Sequence, residues 1–219
     1  MGYDNEHAQP LIFDIETAPL DGAEEFLEPV EAPANYKDPL KISAYIEEKR
    51  QEQLDKCGLD VDLCRVVAIG MQLEGQDVSV ISGKDVSEAN MLRAFWTQAA
   101  IGHHLIGFNC LGFDLPVLFR RSLYLRVETC HVQIDRFKHP CVTDLLDELS
   151  YSGRLRMRGL SFYCRRFGIP DTDTLKGADI AKAVAEGHWD LVEAHVRCDV
   201  LKTTALAARM GHFKALAVA

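Results

Sequence analysis

Residues 11–20 read LIFDIETAPL, an apolar run that ends in Asp14 and Glu16 with a single Ile between them, followed by Thr17 and Pro19. The run has the look of a core strand. Strand side chains alternate between faces, so Asp14 and Glu16 point the same way. Two carboxylates held that close repel, and each resists ionising unless a cation, a shared proton or open water relieves the repulsion. A strand simply running out into solvent explains an isolated Asp-x-Glu equally well, so the rest of the chain has to decide between the two readings.

The chain has 219 residues, 47% hydrophobic and 26% charged, which suits one globular domain built on one core. No stretch approaches the roughly 18 apolar residues in a row that a membrane span requires, and the polar, acidic start MGYDNEHAQP is unlike a targeting segment. The seven cysteines are odd in number and lack C-x-x-C spacing, so they read as free thiols in a reducing compartment. A cytoplasmic, membrane-free protein is the expectation. A net charge of −9 argues against nonspecific coating of nucleic acid. The charge is unevenly spread, however. Residues 1–35 hold nine acidic side chains and no Lys or Arg, whereas residues 118–168 hold ten Lys and Arg against five acids, which leaves room for a local basic face.

Outward from the first strand, residues 18–39 carry loop punctuation, and PLKISAYIEEKRQEQLDK follows as a helix with only a thin apolar stripe of Ile42, Ile46 and Leu54. We read residues 18–60 as a loop-and-helix insertion in a single domain spanning 1–219. RVVAIGMQLEG and QDVSVISG form an antiparallel hairpin, SEANMLRAFWTQAA an amphipathic helix and HHLIGFN a short buried strand. Beyond them, FDLPVLFRRSLYL, VTDLLDELS, RGLSFYCRRFG, GADIAKAVAEG and HWDLVEAHVRCDVLKTTALAARM all have helical patterning. The order implies an α/β domain with a central mixed sheet.

Further acids lie at informative places. Asp114 opens a helix in apolar surroundings, where an acid can also act as an ordinary N-terminal cap. His195 and Asp199 are four residues apart on one helical face, a spacing that also suits a plain surface hydrogen bond. Asp199 sits in CDVLKTTALAA, where an unpartnered charge would be costly if that face is buried.

Taken in order, Asp14-x-Glu16, Asn109-x-x-x-Phe113-Asp114 and His195-x-x-x-Asp199 resemble the DEDD superfamily of 3′–5′ exonucleases, the DnaQ-like branch of the ribonuclease H-like fold. Within it, the similarity is to the proofreading exonuclease domain of family-B DNA polymerases. It runs from Leu11 to about Thr204 and includes the DIET, GFNCLGFDLPVL and CDVLKT segments. The resemblance implies a five-stranded mixed sheet flanked by helices, with the acids meeting at its centre. It implies that Asp14 bridges two divalent cations, Mg²⁺ or Mn²⁺, that Glu16 and Asp199 ligate one of them, and that Asp114 supports the other. Hard cations prefer such oxygen ligands. The implied reaction is hydrolysis at the 3′ end of a nucleic acid, DNA before RNA, with release of nucleoside monophosphates. Single-stranded ends are the implied partner, and a polymerase or repair complex a further one. One branch of the family has Tyr four residues before the last Asp and the other has His five before it. Here His195 stands at the Tyr-type spacing, as a general base or water-orienting group. His188 is read as a helix-start residue. Thr17, Asn109 and Phe113 are candidate substrate contacts, and Arg154, Arg156 and Arg158 candidate phosphate contacts. Phe108 joins Phe113 as a possible stacking surface, although a core position suits both rings, and a solvated face suits the arginines.

DIET superficially matches the nucleophile loop of phosphoaspartate-forming phosphatases, but Glu16 stands at the second Asp position and no partnered Lys with a following acidic pair is evident. His103, His104, Cys110, Cys130, His131, His139 and Cys141 match no common zinc spacing. The serious rival is a catalytically weak or inactive binding module on the same fold.

Overall fold

The computed structural model describes residues 9–100, 104–130, 132 and 139–213. Its sheet has five strands in the order β3-β2-β1-β4-β5. These are β1 (Pro10–Pro19), β2 (Cys64–Leu73), β3 (Ser79–Ser82), β4 (His104–Gly107) and β5 (Val142–Asp144). Antiparallel pairing joins β1 to β2 and β2 to β3, and parallel pairing joins β1 to β4 and β4 to β5, so the sheet is mixed as expected.

The helices are α1 (Pro39–Cys57), α2 (Glu88–Ala99), α3 (Asp114–Tyr124), α4 (Leu145–Leu149), α5 (Leu160–Phe167), α6 (Ile180–Ala185) and α7 (Trp189–Met210). Period-two alternation along β1 divides the core. Leu11, Phe13 and Ile15 face a cluster with Met91, Leu92 and Phe95 of α2 and Leu115 and Leu118 of α3. Ile12 faces the other way, toward Val200, Leu206 and Ala207 of α7. Asp14 and Glu16 continue the Ile12 series, and thus belong to the α7 side of the sheet.

Two local devices position this side. Gly70 of β2 pairs with Asp14, and a Cβ at Gly70 would lie 2.7 Å from Val200 Cγ2 and 3.1 Å from Val196 Cγ2. The missing side chain therefore lets α7 lie directly on the sheet. The second device is a register shift between Glu16 and Thr17, where β1 passes from pairing with Ala68 to pairing with Val66. A bulge of this kind re-aims side chains at a strand end. The Val66 N–H donates to Glu88 Oε1 at 2.8 Å, and Glu88 also holds buried Arg121 of α3 through two bonds of 2.8 and 2.7 Å. The bulge is thereby tied to α2 and α3.

One element differs from the sequence reading. VTDLLDELS begins as the strand β5 and only then becomes helix α4. Three residues are too few for periodicity to declare a strand, and the Asp144 side chain, which accepts from the Leu146 and Asp147 N–H groups, starts the helix at once. The insertion helix matches its thin stripe, since Ile42, Ile46 and Leu54 are half-buried and its other side is open. Asp38 caps it through the Leu40 N–H, with Pro39 opening its first turn. His188 is the N-cap of α7. All seven cysteines are free, and no described helix is long and apolar enough to cross a membrane.

Candidate active site

Three elements bring the expected acids together. β1 supplies Asp14 and Glu16, the first turn of α3 supplies Asp114, and α7 supplies His195 and Asp199; all five line one cleft of about 1250 Å³. The β1–β4 pairing stops at Ile12 and Ile106. Beyond it, Asp114 Oδ1 accepts the Ile15 N–H at 3.2 Å and so fixes the start of α3 beside the two strand acids.

Asp114 is held from behind. Gly107 has no room for a Cβ, which would lie 2.5 Å from Cys110 Cβ, and Asn109 takes a left-handed φ of 60°, a conformation Asn tolerates well. Asp144 then pins the turn, accepting the Asn109 N–H at 2.8 Å through Oδ1 and the Leu111 N–H at 2.9 Å through Oδ2. The Asn109 side chain lies over Gly112, where a Cβ would come within 2.5 Å of Asn109 Oδ1.

The acids strain one another. Asp14 keeps part of its surface open to the cleft, yet burial first, then Asp114, Glu16 and Asp199, push its carboxyl well above the usual range, against the pull of Lys202. Burial and then Asp199, Asp114 and Asp173 do the same to Glu16. Burial raises Asp114 to about 7, opposed by its backbone hydrogen bonds. Desolvation combined with like-charge neighbours in a cleft marks a functional site.

His195 is only 6% exposed. Its Nδ1 lies 2.6 Å from Asp173 Oδ2, an ion-pair distance whose angle falls short of a hydrogen bond. Its Nε2 faces Glu16 Oε1 at 3.4 Å and Asp199 Oδ2 at 4.0 Å. Ligand atoms of Glu16, His195 and Asp199 all lie within 4.8 Å of one another. Two carboxylates and an imidazole converging in this way fit a divalent cation.

Sequence reasoning missed Lys202. It is 5% exposed, and its Nζ lies 2.5 Å from Asp199 Oδ1, 3.3 Å from Asp171 Oδ1 and 3.5 Å from Asp173 Oδ2. These acids and burial act on it in opposite directions, and the net effect raises its pKa. The signal was a Lys one turn after Asp199 in an otherwise small and apolar helix face. Asp173 and Asp144 were missed too: Asp173 sits in a short acidic segment that carries no periodicity, and Asp144 stands at the head of VTDLLDELS, where it passes for an ordinary helix start.

The remaining candidates divide. The Thr17 hydroxyl donates to the Gly58 carbonyl at 2.6 Å, fastening the end of α1 to the cleft. Thr17, Asn109, Phe108 and Phe113 all line it. Both rings are half-buried and packed against the core, Phe108 lying 6.1 Å from Tyr163. Of the three arginines, Arg158 lines the cleft and lies 4.7 Å over the Phe162 ring, whereas Arg154 and Arg156 are exposed outside its lining. They follow a turn in which Tyr151, Ser152 and Gly153 all have left-handed φ. Among the alternative zinc candidates, His103 and His131 lie outside the described residues, His104 Nε2 lies 2.7 Å from Thr143 Oγ1, and Cys110 is buried.

A five-stranded mixed sheet with acids from β1, α3 and α7 meeting at its centre defines the ribonuclease H-like exonuclease fold. The chain is similar to the family-B DNA polymerase from the hyperthermophilic archaeon Pyrobaculum calidifontis, at 17% identity and a TM-score of 0.64, over 93% of this chain and 24% of the polymerase. It is also similar to exonuclease I, at 14% identity and a TM-score of 0.52, over 95% of this chain and 42% of that one. The chain thus spans less than half of either protein. A search of curated proteins finds no match. Residues 59–217 match the family described as predicted 3′-5′ exonucleases related to the exonuclease domain of PolB, and the chain belongs to that family.

Proposed function

We propose that the protein is a divalent-cation-dependent 3′–5′ exonuclease acting on nucleic-acid 3′ ends, with single-stranded DNA as the first substrate to test. The observation that carries this reading is the meeting of Asp14, Glu16, Asp114 and Asp199 in one cleft, three of them with carboxyl pKa values raised by burial and mutual repulsion. Two divalent cations, Mg²⁺ or Mn²⁺, would supply an activated water and neutralise charge developing on the scissile phosphate.

The chain's own residues do the rest. Asp14, Glu16, Asp114 and Asp199, which line one cleft, would hold the cations, with Asp14 as the acid shared between them, Glu16 and Asp199 toward one and Asp114 toward the other. His195 presents Nε2 to the same oxygens, either to orient the attacking water and take its proton or to join the ligands. Phe108 and Phe113 offer ring surface along the cleft, and Arg158 a cation for a phosphate of the strand. Thr17 and Asn109 fix the cleft wall at its two sides. Arg154 and Arg156 extend the basic segment outside the cleft, where a longer strand would lie. A polymerase or repair complex is the proposed setting for such an activity.

The test is cleavage of a 3′-labelled single strand with Mn²⁺ by wild type, Asp14→Ala and Asp199→Ala. Both variants should fold and lose activity by several orders of magnitude, because they remove ligands rather than core volume. Undiminished activity in both overturns the assignment. One observation favours a second reading, a binding module without turnover: Lys202 already occupies Asp199 Oδ1 at 2.5 Å. Tight single-strand binding with no Mn²⁺-dependent cleavage would select it.

A further inference from the structure

The site contains an imidazole whose surroundings are unlike those of a free base. His195 is nine-tenths buried in the wall of the cleft. One ring nitrogen, Nδ1, is held against the Asp173 carboxylate at 2.6 Å. The other, Nε2, is aimed at Glu16 Oε1 and Asp199 Oδ2, at 3.4 and 4.0 Å. Metal-binding histidines are commonly oriented by a carboxylate at the ring nitrogen that faces away from the ion, and here Asp173 Oδ2 stands at that nitrogen at ion-pair distance, short of hydrogen-bond angle, while Nε2 meets other ligand atoms.

The distances agree with this. Two ligand atoms, each about 2.1 Å from a common ion, are separated by about 3.0 Å at right angles and about 4.2 Å when opposite. Both Nε2 contacts fall between these limits. The second oxygen of Asp199 is accounted for separately, since Lys202 takes Oδ1 and leaves Oδ2 toward His195 and Glu16. Asp173 contacts both Lys202 and His195, so one outer carboxylate braces the groups that set both α7 ligands.

We infer that His195 Nε2 is itself a ligand of the cation held by Glu16 and Asp199, with Asp173 as the outer residue that orients it, and that this position favours Mn²⁺ or another transition ion over Mg²⁺. The inference rests on the exonuclease reading for the presence of a cation and goes beyond it in the ligand set. The metal preference follows from the donor: imidazole suits Fe, Ni, Cu and Zn best and Mn²⁺ least among the transition ions, whereas Mg²⁺ prefers oxygen and keeps its water. Asp173 is here a positioning residue, acting through His195.

The experiment is pulsed electron paramagnetic resonance of Mn²⁺ bound to the full chain, prepared with natural-abundance and with ¹⁵N-labelled histidine. Directly coordinated imidazole gives a ¹⁴N modulation, which should change to the ¹⁵N pattern on labelling and vanish in His195→Gln. Asp173→Asn should weaken Mn²⁺ binding by about 10- to 100-fold, with a smaller effect on Mg²⁺ measured by competition. If His195→Gln does not fold, the labelled wild type still carries the test, because His195 is the only described histidine in the carboxylate cluster. Mn²⁺ bound with no nitrogen modulation overturns the inference, and continued strand cleavage in that sample leaves the exonuclease reading standing. No Mn²⁺ binding at all overturns the inference as well, and absence of cleavage with any divalent cation then removes the exonuclease reading with it.

Discussion

Replacing Asp114 by Asn separates the cost of the site to the fold from its value to the chemistry. The Asn side-chain oxygen can still accept the Ile15 N–H that Asp114 takes at 3.2 Å, so the link between β1 and α3 survives. What disappears is a buried charge. Burial lifts the Asp114 carboxyl from an ordinary 3.8 to about 7, and at 1.36 kcal/mol per pKa unit the charged form costs the metal-free fold on the order of 4 kcal/mol above that pH. Because the folded-state pKa lies above the unfolded one, this group's contribution favours the fold fully below about pH 4 and is lost as pH rises through about 7. In EDTA at pH 8 the Asn variant should therefore melt above wild type, by roughly 8 to 16 °C for a chain of this size, while near pH 4 the difference should close. Saturating Mn²⁺ should reverse the order at pH 8, because the cation stabilises only the protein that keeps its ligands. Scanning calorimetry of both proteins from pH 4 to 8, with and without Mn²⁺, reads all of this. A metal-free variant that melts at or below wild type at pH 8 refutes the claim that the site holds a strained charge.

Gly70→Ala should destabilise the protein by about 1 to 3 kcal/mol and lower cleavage, because its Cβ would meet Val200 Cγ2 at 2.7 Å and push α7, with His195 and Asp199, off the sheet. Adding Val200→Ala should restore part of the activity, and a fully active single variant would show that close approach at Gly70 does not set the α7 ligands. Asp144→Ala leaves the Asn109 and Leu111 N–H groups without their acceptor and removes the α4 cap, so urea denaturation should register a loss of about 2 to 4 kcal/mol. Asp144→Asn should fall between that variant and wild type, and equal losses in the two would mean the turn is held by something else.

What could be read in the sequence was whatever repeats or carries charge. β1 was legible because an apolar run leads into two carboxylates two residues apart and so on one face, and α7 because it is long and spaces His195 and Asp199 by one turn. The fifth strand was hidden for the opposite reason, since Val142–Asp144 gains its strand character only by pairing with β4. Lys202 was hidden more deeply. Its partners Asp171 and Asp173 lie some thirty residues earlier in a segment without regular structure, and no spacing rule connects them to α7. The three arginines illustrate the limit from the other side, because a run that looks uniform in sequence divides at Arg158 once the chain bends.

The division of labour along β1 explains why so strained a site can persist. Leu11, Phe13 and Ile15 keep one face of the strand apolar, packed on α2 and α3, and anchor the strand from that side. The opposite face is apolar at Ile12, where α7 closes over the sheet through Leu206 and Ala207, and again at Ala18, which packs on α6 and α7. Between the two, Gly70 and the shift at Thr17 bring α7 and the strand end together around carboxylates rather than methyl groups. Local destabilisation there is tolerated because few apolar contacts depend on it. The same logic accounts for Lys202 and Asp173: Lys202 balances the charge of Asp199 on the α7 side of the cleft, while Asp199 Oδ2 and His195 Nε2 stay turned toward Glu16. A Lys202→Met variant should therefore fold less stably without metal and regain more of that stability on adding Mn²⁺ than wild type does, a comparison that calorimetry makes directly and that an equal response in both proteins would contradict.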